Sequence, residues 1–153
     1  MKNADQPLVI LMADDDPQDR QLTQKAFVRC RLANELRFVE NGEQLLEYLR
    51  REGEFSAPGA APWPGIILLD LNMPRKDGRE ALAEIKADPA FCQIPVVVMT
   101  TSKADEDIAR SYSCGANSFI TKPITFAGLV EVIRDLGRYW FEIVELPPPP
   151  QNL

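Results

Sequence analysis

A chain of 153 residues with 45% hydrophobic content is sized for one domain around one core. A net charge of −6 and the lack of any Lys/Arg run exclude a broad phosphate-binding surface for nucleic acid. The chain has no histidine, which excludes imidazole chemistry, and its three cysteines (Cys30, Cys92 and Cys114) are too scattered for a zinc site and read as buried, reduced thiols. Met1 to Pro7 lacks an apolar signal core and no stretch is long enough to cross a bilayer, so the expectation is a soluble cytoplasmic protein with no membrane partner.

The first apolar run, Leu8 to Met12, reads as a strand buried on both faces and ends in Asp14-Asp15-Asp16. Asp16 is a natural N-cap and Pro17 a natural first helical residue, with Leu22, Ala26 and Cys30 on one line of the helix that follows. A short strand, Leu36 to Val39, precedes a second helix opened by Gly42 and carrying Leu45, Leu46 and Leu49. Glu52 to Gly65 is rich in Pro, Gly and Ala and reads as a long loop rather than a linker. Ile66 to Leu69 is the third strand, ending in Asp70. A helix from about Arg79 to Ala87 is stopped by Asp88-Pro89. Val96 to Met99 is the fourth strand, ending in Thr100-Thr101-Ser102, and a short helix from about Ala104 to Ser113 carries Ile108 and Tyr112 on one side before Gly115. Ser118 to Thr121 is the fifth strand, followed by Lys122-Pro123 and a fifth helix from about Thr125.

This alternation predicts an α/β fold with a five-stranded parallel sheet and helices on both faces, in a single domain spanning 1–153 with its core at about 8–140. The C-terminal stretch stands apart. Leu129, Val132, Ile133, Leu136 and Trp140 form one apolar stripe, while Val130, Gly137 and Phe141 lie on a second line, and Phe141 to Leu146 reads as extended before Pro147 to Pro150. One helix with that much apolar surface predicts a homodimer, through a partner face including Ile108, Tyr112, Phe119, Val130, Ile133, Trp140 and Phe141.

In open parallel sheets the ligand site lies at the carboxyl ends of the strands, which here would bring together three carboxylates, a hydroxyl and an ammonium. Carboxylates that close raise one another's pKa unless a cation shares the site, and Mg²⁺, with its preference for oxygen ligands and waters, is the natural one. Asp15 and Asp70 would be direct ligands, Asp14 would hold a water, and the Asn72 carbonyl would complete the set. Asp70 is the candidate nucleophile, since a carboxylate can accept a phosphoryl group as an acyl phosphate. Phosphoryl transfer needs positioning and charge neutralisation, which Mg²⁺ and Lys122 would supply. A cis Lys122–Pro123 bond would aim the ammonium inward. The Thr100 hydroxyl could bind a phosphoryl oxygen, and Phe119 is either core packing or a rotameric gate that follows Thr100.

These residues match a family. Asp14-Asp15, Asp70, Thr100 and Lys122-Pro123 stand in the order and spacing of the response-regulator receiver domain, and Asp70-Leu71-Asn72-Met73-Pro74 with Gly78 resembles its phosphorylation-site loop. The resemblance covers about residues 8 to 140. It implies the flavodoxin-like sheet, strand order 2-1-3-4-5, which the chemotaxis receiver exemplifies. It also implies Mg²⁺-dependent phosphorylation of Asp70 by a partner sensor histidine kinase, followed by slow self-catalysed hydrolysis. Thr100 would be the switch hydroxyl, Phe119 the switch aromatic and Lys122 the phosphate-contacting lysine. The loop before the third strand, Thr100-Thr101-Ser102 and the tail Tyr139-Trp140-Phe141 are similar to single-domain regulators paired with phytochrome-type histidine kinases. Thr101 departs from the pattern, because a smaller residue usually follows the switch threonine.

The expected act is therefore a switch: phosphorylated Asp70 draws Thr100 towards it, Phe119 turns inward and the partner face changes. A pseudo-receiver that binds partners without turning over phosphate is the alternative. A haloacid-dehalogenase-type hydrolase also uses a nucleophilic Asp and Mg²⁺, but it places Asp-x-Asp on the first strand, whereas here Asp70 heads Asp-x-Asn on the third.

Overall fold

The computed structural model describes residues 8–150. The segment Met1 to Pro7, read above as lacking a signal core, and the last three residues of the C-terminal extension lie outside the described residues. Five strands and five α-helices alternate: β1 (Val9–Ala13), α1 (Pro17–Arg29), β2 (Glu35–Val39), α2 (Gly42–Arg50), β3 (Ile66–Leu69), α3 (Gly78–Ala87), β4 (Val96–Thr100), α4 (Asp105–Ser113), β5 (Ser118–Thr121) and α5 (Phe126–Leu136). The strands form one sheet in the order β2-β1-β3-β4-β5, every neighbouring pair parallel, which is the flavodoxin-like order.

Strand residues alternate between two cores, as a period of two requires. Leu11, Ala13, Ile67, Leu69, Val96 and Val98 pack with α2 and α3, while Ile10, Met12, Ile66, Leu68, Val97 and Met99 pack with α1 and α5. Local chemistry sets the helix starts. Asp16, Asn41, Asp77 and Thr125 each accept a backbone N–H from the first turn of α1, α2, α3 and α5, satisfying donors that the helix leaves free. The loop 52–65 is anchored rather than loose: the Tyr48 hydroxyl donates to the Pro62 carbonyl at 2.6 Å, and Trp63 packs beside Phe91 with ring centroids 6.1 Å apart.

The structure differs from expectation in four places. β1 and β4 each run one residue further towards the site than the apolar runs suggest, because Ala13 and Thr100 still pair with their neighbours. The helical stretch that carries Trp140 runs further than expected: a π-helix over Gly137–Ile143 takes in Phe141 to Ile143, read above as extended, keeps Trp140 and Phe141 against the α1–α5 core, and gives way to extended backbone only at Val144. Val130 and Ile133, assigned above to a partner face, are buried in their own domain at 7% and 1% exposure, because α5 uses that line to cover the sheet. The cysteines are unpaired and half-buried rather than fully buried. No helix among the described residues is long and apolar enough to cross a membrane.

Candidate functional site

Parallel pairing delivers the site residues to one edge. Ala13 pairs with Leu69, so Asp14 and Asp70, which follow them, fall side by side, and Thr100 at the end of β4 pairs with Thr121, the residue before Lys122. Backbone bonds continue the ladder by one step: Asp70 N donates to Ala13 O at 3.0 Å and Lys122 N to Thr100 O at 2.7 Å. Asp14, Asp70, Thr100 and Lys122 therefore converge from four adjacent strands.

Asp70 is 7% exposed and both its oxygens are held. Oδ1 accepts from the Thr100 hydroxyl at 2.8 Å and from Asn72 N at 3.2 Å, and Oδ2 accepts from Lys122 Nζ at 2.9 Å. Thr100 is fully buried, so its hydroxyl has been taken from water for this contact. The phosphorylation-site loop turns back so tightly that Gly78 N donates to Leu71 O at 2.9 Å. A Cβ on Gly78 would lie 2.1 Å from the Asp70 carbonyl oxygen, so only glycine fits the close approach.

Lys122 reaches the site through a trans Lys122–Pro123 bond, so no cis geometry is needed to aim it. Its ammonium has three N–H donors, and three carboxylates surround it: Asp14 at 2.7 Å, Asp19 at 2.9 Å and Asp70 at 2.9 Å. Burial disfavours the charged ammonium, but hydrogen bonds to these carboxylates outweigh it and raise the Lys122 pKa well above the ordinary lysine value. Asp14 is 1% exposed, and burial raises its pKa although Lys122 and Asp16 N–H oppose the rise. The pair is best read as a charged lysine beside a carboxylate that burial holds at a cost.

One oxygen each from Asp14, Asp15 and Asp70 lies within 4.8 Å of the others, with Asp15 exposed at the mouth. Three convergent carboxylate oxygens suit a hard cation that keeps waters, so the donor set fits Mg²⁺. Asn72 is exposed beside them, its Oδ1 accepting from Arg79 Nη1 at 3.4 Å. Asp16, by contrast, caps α1 by accepting from Gln18 N at 2.9 Å.

Two features escaped the sequence reading. Asp19 stands in the first turn of α1, where an acidic residue has an ordinary explanation in the helix dipole, and only the packed fold aims it at Lys122. The second is a bracket across the rim. Arg79 of α3 donates to both oxygens of Asp107 of α4, at 2.7 Å each, and Ser102 Oγ donates to Asp107 Oδ2 at 2.7 Å. The hydrogen bond from Arg79, then that from Ser102, holds the Asp107 pKa far below the carboxylate range. Of the remaining predicted residues, Phe119 is half-buried against the α2–α3 core and its N–H donates to the Tyr112 hydroxyl at 3.1 Å. Tyr112 is 49% exposed, whereas Ile108, Trp140 and Phe141 are half-buried.

Comparison with known proteins agrees with this geometry. Response regulator Rcp1 of Synechocystis sp. is 38% identical over 141 residues, covering 92% of this chain and 94% of the relative. The crystal structure of the phosphorylated cyanobacterial phytochrome response regulator RcpA superposes with a TM-score of 0.86 at 39% identity, over 93% of this chain and 99% of that one. The Mn²⁺-bound form of Rcp1 gives a TM-score of 0.84 at 38% identity, over 93% and 100%. The family model for the response regulator receiver domain matches residues 10–134, and the chain belongs to that family.

Proposed function

We propose that this chain is a two-component response regulator whose phosphoacceptor is Asp70. The observation that carries the reading is the convergence on one buried carboxylate of a hydroxyl from β4, an ammonium from the end of β5 and two further carboxylates from the end of β1. An Asp70 oxygen attacks the phosphorus of a phosphohistidine on a sensor histidine kinase, the P–N bond breaks with its electron pair leaving to the imidazole, and an acyl phosphate forms. Lys122 holds positive charge beside the transferring group, and Asp14 and Asp15 with Asp70 and the Asn72 carbonyl would hold Mg²⁺. When bound, Mg²⁺ neutralises the charge that gathers on the phosphoryl oxygens. A Mn²⁺-bound relative at 38% identity supports a divalent cation in this family.

Thr100 and Phe119 would carry the signal outward. The Thr100 hydroxyl already donates to Asp70, so phosphorylation requires it to exchange a carboxylate oxygen for a phosphoryl oxygen. Phe119 is linked through its N–H to Tyr112 on α4, which supports a readout at the exposed face of α4 and β5. Similarity to Rcp1 and RcpA over nearly the whole chain supports a phytochrome-type kinase as the phosphodonor. Such a partner would place the chain in the cytoplasm. The exposed hydrophobic side chains of the helical extension, Tyr139 at 53% and Ile143 at 62%, support a homodimer through that end.

The test is intact mass after incubation with acetyl phosphate and Mg²⁺, beside Asp70→Asn and EDTA controls. The expected gain is one phosphoryl group, absent from both controls. No gain would overturn the reading in favour of a pseudo-receiver binding module.

A further inference from the structure

Lys122 is the one cation among the described residues in direct contact with Asp70, and its three donors are occupied by Asp14, Asp19 and Asp70. Two of its three partners have other work: Asp70 is the acceptor, and Asp14 belongs to the carboxylate set suited to a metal. Asp19 belongs to neither. It lies outside that cluster and touches the chemistry through Lys122, at 2.9 Å. It also comes from a different direction. Asp19 and Lys122 line a cavity of about 110 Å³ between α1 and the β5–α5 connection, otherwise bounded by Met12, Leu22, Met99 and Phe126 among others, and Asp19 is the only carboxylate on that wall among the described residues. The ammonium therefore has an anionic partner on α1 in addition to the two carboxylates of the site.

We propose that Asp19 is a positioning residue that restrains phosphoryl transfer to Asp70 by sharing the charge of Lys122. The inference rests on Asp70 being the phosphoacceptor. During transfer from acetyl phosphate, an Asp70 oxygen forms a bond to phosphorus while the bond from phosphorus to the acetate oxygen breaks, and acetate leaves with the electron pair. The positive charge of Lys122 favours that step in proportion to how much of it faces the phosphoryl oxygens. A third carboxylate withdraws part of that charge and adds a negative charge that an anionic phosphodonor must approach. Asp14 and Asp70, both nearly buried, each hold Lys122 by a contact of their own, at 2.7 and 2.9 Å, that does not pass through Asp19. Removing the Asp19 charge therefore releases charge rather than the lysine.

The experiment compares initial phosphorylation rates by acetyl phosphate and Mg²⁺ for the wild type, Asp19→Asn, Asp19→Ala and Asp19→Glu, with circular dichroism melts to confirm folding. At low ionic strength Asp19→Asn and Asp19→Ala should react about 3- to 10-fold faster, the scale of one unit charge near a partly exposed site. The gain should shrink in 0.5 M salt, because Asp19 is 35% exposed and open to screening. Asp19→Glu should stay near the wild-type rate. Equal or slower reaction of both uncharged variants, or a Glu variant as fast as they are, would overturn the proposal while leaving Asp70 as phosphoacceptor. A wild type that gains no phosphoryl group would overturn both.

Discussion

The Thr100 hydroxyl donates to Asp70 Oδ1 at 2.8 Å, with both residues buried and 30 positions apart. The contact makes Thr100 part of the resting site rather than a distant group waiting to be summoned. Thr100→Ala removes one buried hydrogen bond and leaves Asp70 Oδ1 with only the Asn72 N–H, costing about 1 kcal/mol of stability. The variant should still gain a phosphoryl group by mass. In amide NMR spectra its Tyr112 and Phe119 signals should no longer shift on phosphorylation, whereas Thr100→Ser should retain the shift. Persistence of the shift in the Ala variant would sever the proposed coupling.

Gly78 makes the narrowest approach in the phosphorylation loop, its missing Cβ leaving room for the Asp70 carbonyl. Gly78→Ala must displace backbone on one side or the other, an overpacking cost of about 1–3 kcal/mol. The loop would move Asp70 with it. Urea denaturation should show the loss, and phosphorylation by acetyl phosphate should slow markedly in the same variant.

The bidentate Arg79–Asp107 pair joins α3 to α4 with side chains that are 21% and 14% exposed. Asp107→Asn should cost about 1–2 kcal/mol at neutral pH, as expected for a partly buried charge-assisted pair. The sign with pH follows from the depressed Asp107 pKa, whose main causes are Arg79 and then Ser102. Its contribution is present above the ordinary carboxylate range and is lost as pH falls below it. Stability curves of the wild type and variant should therefore converge in acid. A gap that stays constant with pH would mean that the pair is not the source of the loss.

Asp14 has the opposite sign. Burial raises its pKa, so the fold bears a cost that grows as pH rises through the carboxylate range and vanishes in acid. Asp14→Asn should raise Tm at neutral pH by about 2–4 °C, the effect of a single modest stabilisation in a chain this size. Millimolar Mg²⁺ should raise the wild-type Tm further by mass action and have a smaller effect on Asp14→Asn. A melt without Mg²⁺ in which Asp14→Asn is less stable would show that Lys122 needs this carboxylate more than burial penalises it.

Much of this site is legible in one dimension because each part is local. An apolar run such as Ile66 to Leu69 is a buried strand wherever it lies, and the first polar residue after it marks the sheet's carboxyl edge. The order and spacing of Asp14-Asp15, Asp70, Thr100 and Lys122 thus announced the family. Helix caps such as Asp16 before Pro17 are equally local, since a side chain there reaches N–H groups only two or three residues on. Other assignments needed the packed fold. Sequence periodicity placed Ile133 and Val130 on two apolar lines but not which neighbour covers them, and the sheet proved to be that neighbour. The same limit hid how far the helix runs past Trp140, where contact with the α1–α5 core holds Phe141 in helical register despite a β-like composition. Asp19 and the Arg79–Asp107 bracket are partners across elements, separated by 103 and 28 residues from the groups they hold. Strand chemistry is written in neighbouring residues, whereas a side chain's charge partner depends on how two helices settle on the same sheet.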